Sequence, residues 1–259
     1  MYIRKTYKVK GHMYVREYTK RSYGAPSQTR AQRLKETPRA MKLYNHQKRA
    51  EKLQLLILNN FDKGYHVILD YPVNEKPETY EQAEDNLRKA LYKTSRRLKK
   101  KDIRFKYLGV TERGKKAAAL HHHLIIEGRP EILGELIEVW GQHIKIMTMY
   151  EDGEYKDLAD YLIKIETKEE QTKGRSKYHR SRNLKDPVER TSIKVGPIPR
   201  EPEVPENYEL VKDSVKSGYN EIIGIRYQRY MLRQTGSRPP EQKPRGFLDK
   251  LKKIFRRRP

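Results

Sequence analysis

Two histidines one residue apart, a nearby carboxylate, and a tyrosine with a lysine three positions after it carry the chemistry this chain has to offer. Leu120-His121-His122-His123-Leu124-Ile125-Ile126 is the most informative stretch. Alternate side chains of a strand share a face, so His121 and His123 point together while His122 points away. That geometry presents two imidazoles to one ion. Glu112, at the end of the preceding β-like run, can meet them across a hairpin and add a carboxylate oxygen. Two imidazoles and a carboxylate leave coordination positions open for a phosphate oxygen, which is what a Lewis-acid site requires. On residue type alone, a fortuitous surface cluster of histidines is the competing reading.

In Tyr161-Leu162-Ile163-Lys164 the spacing of three puts the phenol and the ammonium on one helical face. A phenol of ordinary pKa, about 10, is a weak nucleophile and needs a neighbouring cation to favour the phenolate. Lys164 or a metal would supply that charge. The spacing itself selects nothing, because Tyr2 with Lys5 and Tyr7 with Lys10 also fit it in a chain of 19 tyrosines. Position after the histidine strand singles out Tyr161. An arbitrary tyrosine on an amphipathic helix is a packing residue.

The elements that must position these groups are legible in outline. Thr37-Pro38 starts a helix that runs through Leu53, Leu56 and Ile57 to Asn59-Asn60. Tyr65 to Tyr71 is a short β-like stretch. Thr79 followed by Gln82 forms a capping box that opens a second helix, with Leu87, Leu91 and Leu98 near one face. Arg104 to Glu112 and Leu120 to Glu127 flank a basic, glycine-containing loop and predict an antiparallel hairpin. Pro130 opens a helix through Trp140, His143 to Met149 alternates as a strand, and Asp157 to Thr167 is helical. The expected fold class is α+β, a mostly antiparallel central sheet flanked by helices, with basic terminal extensions. The expected organisation is a basic arm at 1–36, a basic hairpin or loose segment outside the core; a catalytic domain at 37–167; a proline-containing connector and C-terminal subdomain at 168–235; and a basic amphipathic tail at 236–259.

The ordered set of an apolar strand (Tyr65 to Tyr71), Glu112, His121-x-His123 with Leu124-Ile125-Ile126 after it, and Tyr161-x-x-Lys164 resembles the HUH endonucleases. Within them it is most similar to the rolling-circle replication initiators of phages, plasmids and integrative elements. The resemblance covers about residues 60 to 167, and Ser181-Arg182-Asn183-Leu184 and Gly218-Tyr219 add softer matches. It implies Mg²⁺ or Mn²⁺ held by His121 and His123 with Glu112 as third ligand. It also implies Tyr161 as the nucleophile that becomes joined to a 5′ phosphate, and Lys164 as the group that orients the site or stabilises charge. The tyrosine follows the histidines, the order of initiators rather than of conjugative relaxases. Asp157 stands four residues before Tyr161, where some initiators carry a second tyrosine, so a single-tyrosine mechanism is implied. Single-tyrosine transposases of the same superfamily and relaxase-like nickases are the alternatives.

Composition agrees with such a partner. With 58 Lys and Arg against 34 Asp and Glu, the formal charge is +24, an excess that calls for a polyanion. Single-stranded origin DNA is the expected partner, gripped by Arg113, Lys115 and Lys116 of the basic loop while tyrosines stack on bases. The absence of cysteine excludes disulfides and thiolate metal sites. No Gly-x-x-x-x-Gly-Lys-[Ser/Thr] loop is present, so a host helicase and polymerase are expected, and closing a circle with one tyrosine invites a second protomer. The chain starts without a signal-like apolar stretch and has no run near the ~18 apolar residues of a membrane span, which predicts a cytoplasmic protein. A non-catalytic nucleic-acid-binding protein accounts for the charge but not for the histidine strand followed by Tyr161. A membrane-surface role rests only on the stripe Phe247, Leu248, Leu251, Ile254 and Phe255 and is disfavoured.

Overall fold

The computed structural model describes residues 1–19, 39–61, 63–114, 119–149, 154–167, 178–211, 213–220 and 225–236. It is α+β, with two antiparallel sheets flanked by helices, the class expected from the sequence. The chain opens with β1 (Tyr2–Val9) and β2 (His12–Thr19). It continues with α1 (Arg39–Asn60), β3 (Gly64–Leu69) and α2 (Tyr80–Lys99). The central hairpin is β4 (Tyr107–Arg113) and β5 (Leu120–Glu127), after which come α3 (Pro130–Trp140), β6 (Ile144–Thr148) and α4 (Lys156–Thr167). Short β7 (His179–Arg180) precedes β8 (Val188–Lys194), β9 (Tyr208–Leu210), β10 (Lys216–Asn220) and β11 (Ile225–Gln234).

One sheet runs β6-β3-β5-β4-β7 and carries the candidate site. Its register pairs Ile68 of β3 with His123 of β5, and Glu112 of β4 with His121. Cross-strand partners share a face, so Glu112, Val110 and Leu108 line up with His121, His123 and Ile125, and with Ile68 and His66. Leu108, Val110 and Ile125 on that face pack with Leu53, Leu56 and Ile57 of α1 and with Ala159, Leu162 and Ile163 of α4. The opposite face, with Tyr65, Val67, Leu69, Leu124 and Ile126, is covered by Leu87, Leu91 and Leu98 of α2 and by Ile132, Leu133 and Leu136 of α3. Both of these covering helices start on devices already visible in the chain. The Thr79 hydroxyl accepts from Gln82 N at 3.2 Å, and the Gln82 side chain accepts in return from Thr79 N, which completes the capping box. Pro130 sits in the first turn of α3, where its missing N–H costs nothing.

The second sheet corrects the reading of the N-terminus. Residues 2–19 are not a loose arm outside the core: β1 and β2 form a hairpin, turned at Gly11 (φ 72°), in the middle of the order β10-β11-β2-β1-β8. β1 pairs with β8 and β2 pairs with β11, so the hairpin is completed by strands roughly 180 to 230 residues along the chain. Val9, Tyr14 and Met231 of this sheet join the same apolar cluster as α1, α4 and the inner face of the first sheet. Burying that cluster is the reason the hairpin docks instead of waving free. The segment preceding β8 is also tied down. Asn60 Nδ2 donates to Lys185 O at 2.8 Å and Lys185 N donates to Asn60 Oδ1 at 2.8 Å, while Ser181 N donates to Tyr107 O at 3.0 Å. The amphipathic tail at 237–259 lies outside the described residues. Among the described residues, no helix is long and apolar enough to cross a membrane.

Candidate active site

The strand alternation decides where each histidine goes. His122, fully buried, turns into the face covered by α2 and α3, where its Nε2 lies 2.7 Å from the Tyr71 hydroxyl and its Nδ1 2.9 Å from Thr111 Oγ1. Burial, with smaller contributions from the neighbouring imidazoles, lowers its pKa to about 3, so the ring is neutral and spends its one donor and one acceptor on these two partners. His122 is therefore a structural anchor that pins the strand and frees its two neighbours for the other face.

On that other face His121 Nε2 and His123 Nε2 lie 3.1 Å apart. Glu112 Oε2 reaches across the hairpin to 3.1 Å from His123 Nε2 and 3.4 Å from His121 Nε2. The three ligand atoms lie within 4.8 Å of one another, a spacing that fits one ion. Burial, and then the nearby His121, lowers the His123 pKa to about 4, so at neutral pH the ring is uncharged and can offer a lone pair. Two neutral imidazoles and a carboxylate are a donor set suited to a divalent cation.

Tyr161 arrives from above on α4. Leu162 and Ile163 are buried against the cluster that includes Leu108 and Val110, which lays the helix over the ligand face and leaves Tyr161 42 % exposed. Its hydroxyl donates to Glu112 Oε2 at 3.2 Å and lies 3.4 Å from His123 Nε2, with its ring edge-on to the His123 ring at 5.3 Å. Burial first, then the charge and hydrogen bond of Glu112, pushes the phenol up to about 12. The groups facing Tyr161 thus hold its proton on, and a cation at the cluster is what would favour the phenolate. The start of α4 is fixed as well. Glu154 and Tyr155 adopt left-handed backbone (φ 52° and 61°) just before the helix. Such conformations persist where surroundings over-determine them. The Glu154 carboxylate lies 3.1 Å from His12 Nε2 of β2, and its carbonyl accepts from Gln54 Nε2 of α1 at 3.0 Å.

A family model described as a replication-associated protein of the ORF2 type matches residues 65–170. Neither a curated protein nor a solved structure matches the chain. The matched stretch runs from β3 through α4 and contains Glu112, His121, His123 and Tyr161, and it supports a replication-initiator role.

Of the remaining sequence-predicted residues, Lys164 lies on α4, three residues beyond Tyr161, with its side chain outside the described part of the structure. Arg113 ends β4, next to Glu112, and Lys115 and Lys116 lie outside the described residues. Two sets of residues around the site escaped the sequence reading. Tyr71 and Thr111, which hold His122, are distant in sequence and of common type, so nothing marked them. His66 was marked weakly, as a histidine inside the otherwise apolar run Tyr65 to Leu69. Its Nε2 lies 3.0 Å from His123 Nδ1.

Proposed function

We propose that this chain is a rolling-circle replication initiator of the HUH type, which nicks single-stranded origin DNA through Tyr161 and later rejoins the strand. The observation that carries the reading is the position of the Tyr161 hydroxyl, 3.2 Å from Glu112 Oε2 and 3.4 Å from His123 Nε2, within the family-matched stretch. A phenol in that place and a phosphate oxygen bound to the cluster can belong to one scissile phosphodiester. Glu112, His121 and His123 would hold Mg²⁺ or Mn²⁺, which would polarise the phosphate and offset the charge that builds during displacement.

The chain's own residues then account for the chemistry. The Tyr161 oxygen attacks phosphorus in line, forming the tyrosyl ester as the bond to the 3′ oxygen breaks. The phenol proton leaves, with Glu112 Oε2 as its nearest acceptor, and the departing 3′ oxygen is protonated to a free hydroxyl. The phosphodiester energy is kept in the 5′-phosphotyrosine link, so a 3′ hydroxyl can reverse the step without a nucleotide. Lys164, one turn beyond Tyr161, is assigned to orienting the phosphate or stabilising its charge. Arg113, Lys115 and Lys116 are assigned to the DNA backbone, and the excess positive charge makes that grip strongest at low salt. A host helicase and polymerase complete the cycle, and a second protomer is one way to supply the nucleophile for closure.

The test is covalent capture. Labelled single-stranded origin oligonucleotide with Mn²⁺ should yield an adduct that survives denaturing electrophoresis, and Tyr161→Phe should abolish it. An adduct that persists in Tyr161→Phe removes Tyr161 from the role. DNA binding with no adduct under any metal favours the non-catalytic reading.

A further inference from the structure

On the face of the sheet that carries the ligands, Ile68, Leu108, Val110 and Ile125 are aliphatic, and one polar side chain stands apart from the Glu112–His121–His123 cluster. It is His66, on β3, 9 % exposed. A buried imidazole among aliphatic neighbours costs stability unless its nitrogens are matched, so its presence calls for a reason. The register supplies one. His66 is paired with Ile125 and so sits diagonally from His123, the distance over which aromatic side chains on neighbouring strands meet. The rings lie 5.2 Å apart between centroids, and His66 Nε2 is 3.0 Å from His123 Nδ1. His123 Nε2, the other nitrogen of the same ring, faces Glu112 and His121.

We infer that His66 is a positioning residue for the candidate metal site: it accepts the Nδ1 proton of His123 and thereby turns the Nε2 lone pair toward the cluster. The inference rests on the metal-binding part of the proposed function. A neutral imidazole has one N–H, and a ring that gives its Nε2 lone pair to a cation must carry that proton on Nδ1. In that state Nδ1 donates to His66 Nε2, and the proton of His66 resides on its own Nδ1. Burial, reinforced by the neighbouring His123, lowers the His66 pKa to about 4, so the ring is neutral at physiological pH and has the acceptor free. Partners of this kind fix both the tautomer and the orientation of a ligating histidine, and their loss weakens metal affinity by about 10–100-fold.

Two measurements on the full-length protein test this. In the metal-free protein labelled with ¹⁵N on histidine, a through-hydrogen-bond coupling between His66 Nε2 and His123 Nδ1 is expected, and its absence overturns the inference. Mn²⁺ binding, followed by calorimetry and by electron paramagnetic resonance of the free ion, should weaken about 10–100-fold in His66→Phe. It should be partly restored in His66→Gln, whose amide oxygen can accept the Nδ1 proton. His121→Ala serves as the ligand control, and far-UV circular dichroism together with metal-free binding to single-stranded DNA verifies that the variants are folded. If Mn²⁺ binding depends on His121 while His66→Phe binds as tightly as wild type, the positioning role alone is refuted. If wild type shows the coupling but binds no Mn²⁺, the metal reading fails and the positioning role falls with it.

Discussion

Tyr71→Phe separates the two faces of the histidine strand. The substitution removes one oxygen from a ring that stays packed edge-on to Trp140 at 5.1 Å and to His122 at 5.5 Å, so it opens no cavity. It deletes the 2.7 Å hydrogen bond to His122 Nε2 and leaves that nitrogen in a fully buried residue with no replacement. An unsatisfied buried polar atom costs about 1–3 kcal/mol, whereas the bond itself is worth only ~1 kcal/mol. Taking ~2 kcal/mol and a urea m-value of about 2 kcal/mol/M, the unfolding midpoint should fall by on the order of 1 M with the slope unchanged. Mn²⁺ affinity should hold, because His122 points away from the cluster and the strand register is kept by the ladder. The asymmetry offers an internal control: Tyr71→Phe with Thr111→Val and His122→Leu removes all three polar groups, and it should recover much of the loss. An unshifted midpoint in Tyr71→Phe would refute the anchoring role of His122. A normal midpoint with weakened Mn²⁺ binding would show that the two faces are not independent.

Three further outcomes follow from the same geometry. Tyr161→Phe keeps its ring at a partly exposed position and should change stability by no more than about 0.5 kcal/mol while abolishing the covalent adduct, read by urea titration and denaturing gel on one preparation. Chelation with EDTA should likewise abolish adduct formation, with restoration by Mn²⁺, and DNA retention at low salt should survive both treatments. The third concerns pH. Burial lowers the His12 pKa, but the hydrogen bond and charge of Glu154 outweigh it and the net shift is upward from 6.5. A raised folded-state value means the contribution is fully present below about 6.5 and is lost as pH rises through that higher value. The thermal stability advantage of wild type over His12→Gln should therefore be largest near pH 5.5 and shrink toward pH 8.5; an advantage that grows with pH contradicts the pairing.

What could be read from the sequence was local. The capping box at Thr79 and Gln82, the proline opening α3, and the alternation of His121, His122 and His123 each depend on residues within a turn or on one strand, and each appears in the structure where its period places it. Residues in strand or helix register announce their faces. The convergence of Glu112 with the histidines needed only one further assumption, that two consecutive strands form a hairpin, and the register Glu112 to His121 supplies it.

The hairpin of β1 and β2 was illegible as core for the opposite reason. Its interior positions, among them Tyr2, Val9, Tyr14 and Val15, are interleaved with Lys and Arg, so the segment has the composition of a nucleic-acid arm. The strands that bury it, β8 and β11, lie on either side of the proline-rich stretch that reads as a connector. Non-local pairing leaves no periodicity behind; it is fixed by which apolar surfaces remain uncovered once the local elements have formed. The consequence reaches the site. His12, on that hairpin, meets Glu154 at the left-handed entry to α4, and Gln54 of α1 holds the same residue from the other side. The helix that lays Tyr161 over His123 is thus positioned partly by a strand from the start of the chain, outside the family-matched residues 65–170. A fragment confined to those residues would keep Glu112, His121, His123 and Tyr161 in sequence but lose His12 and Gln54. Such a fragment should form adduct less efficiently than the full chain at equal Mn²⁺ occupancy, and equal efficiency would show that α4 needs no support from the second sheet.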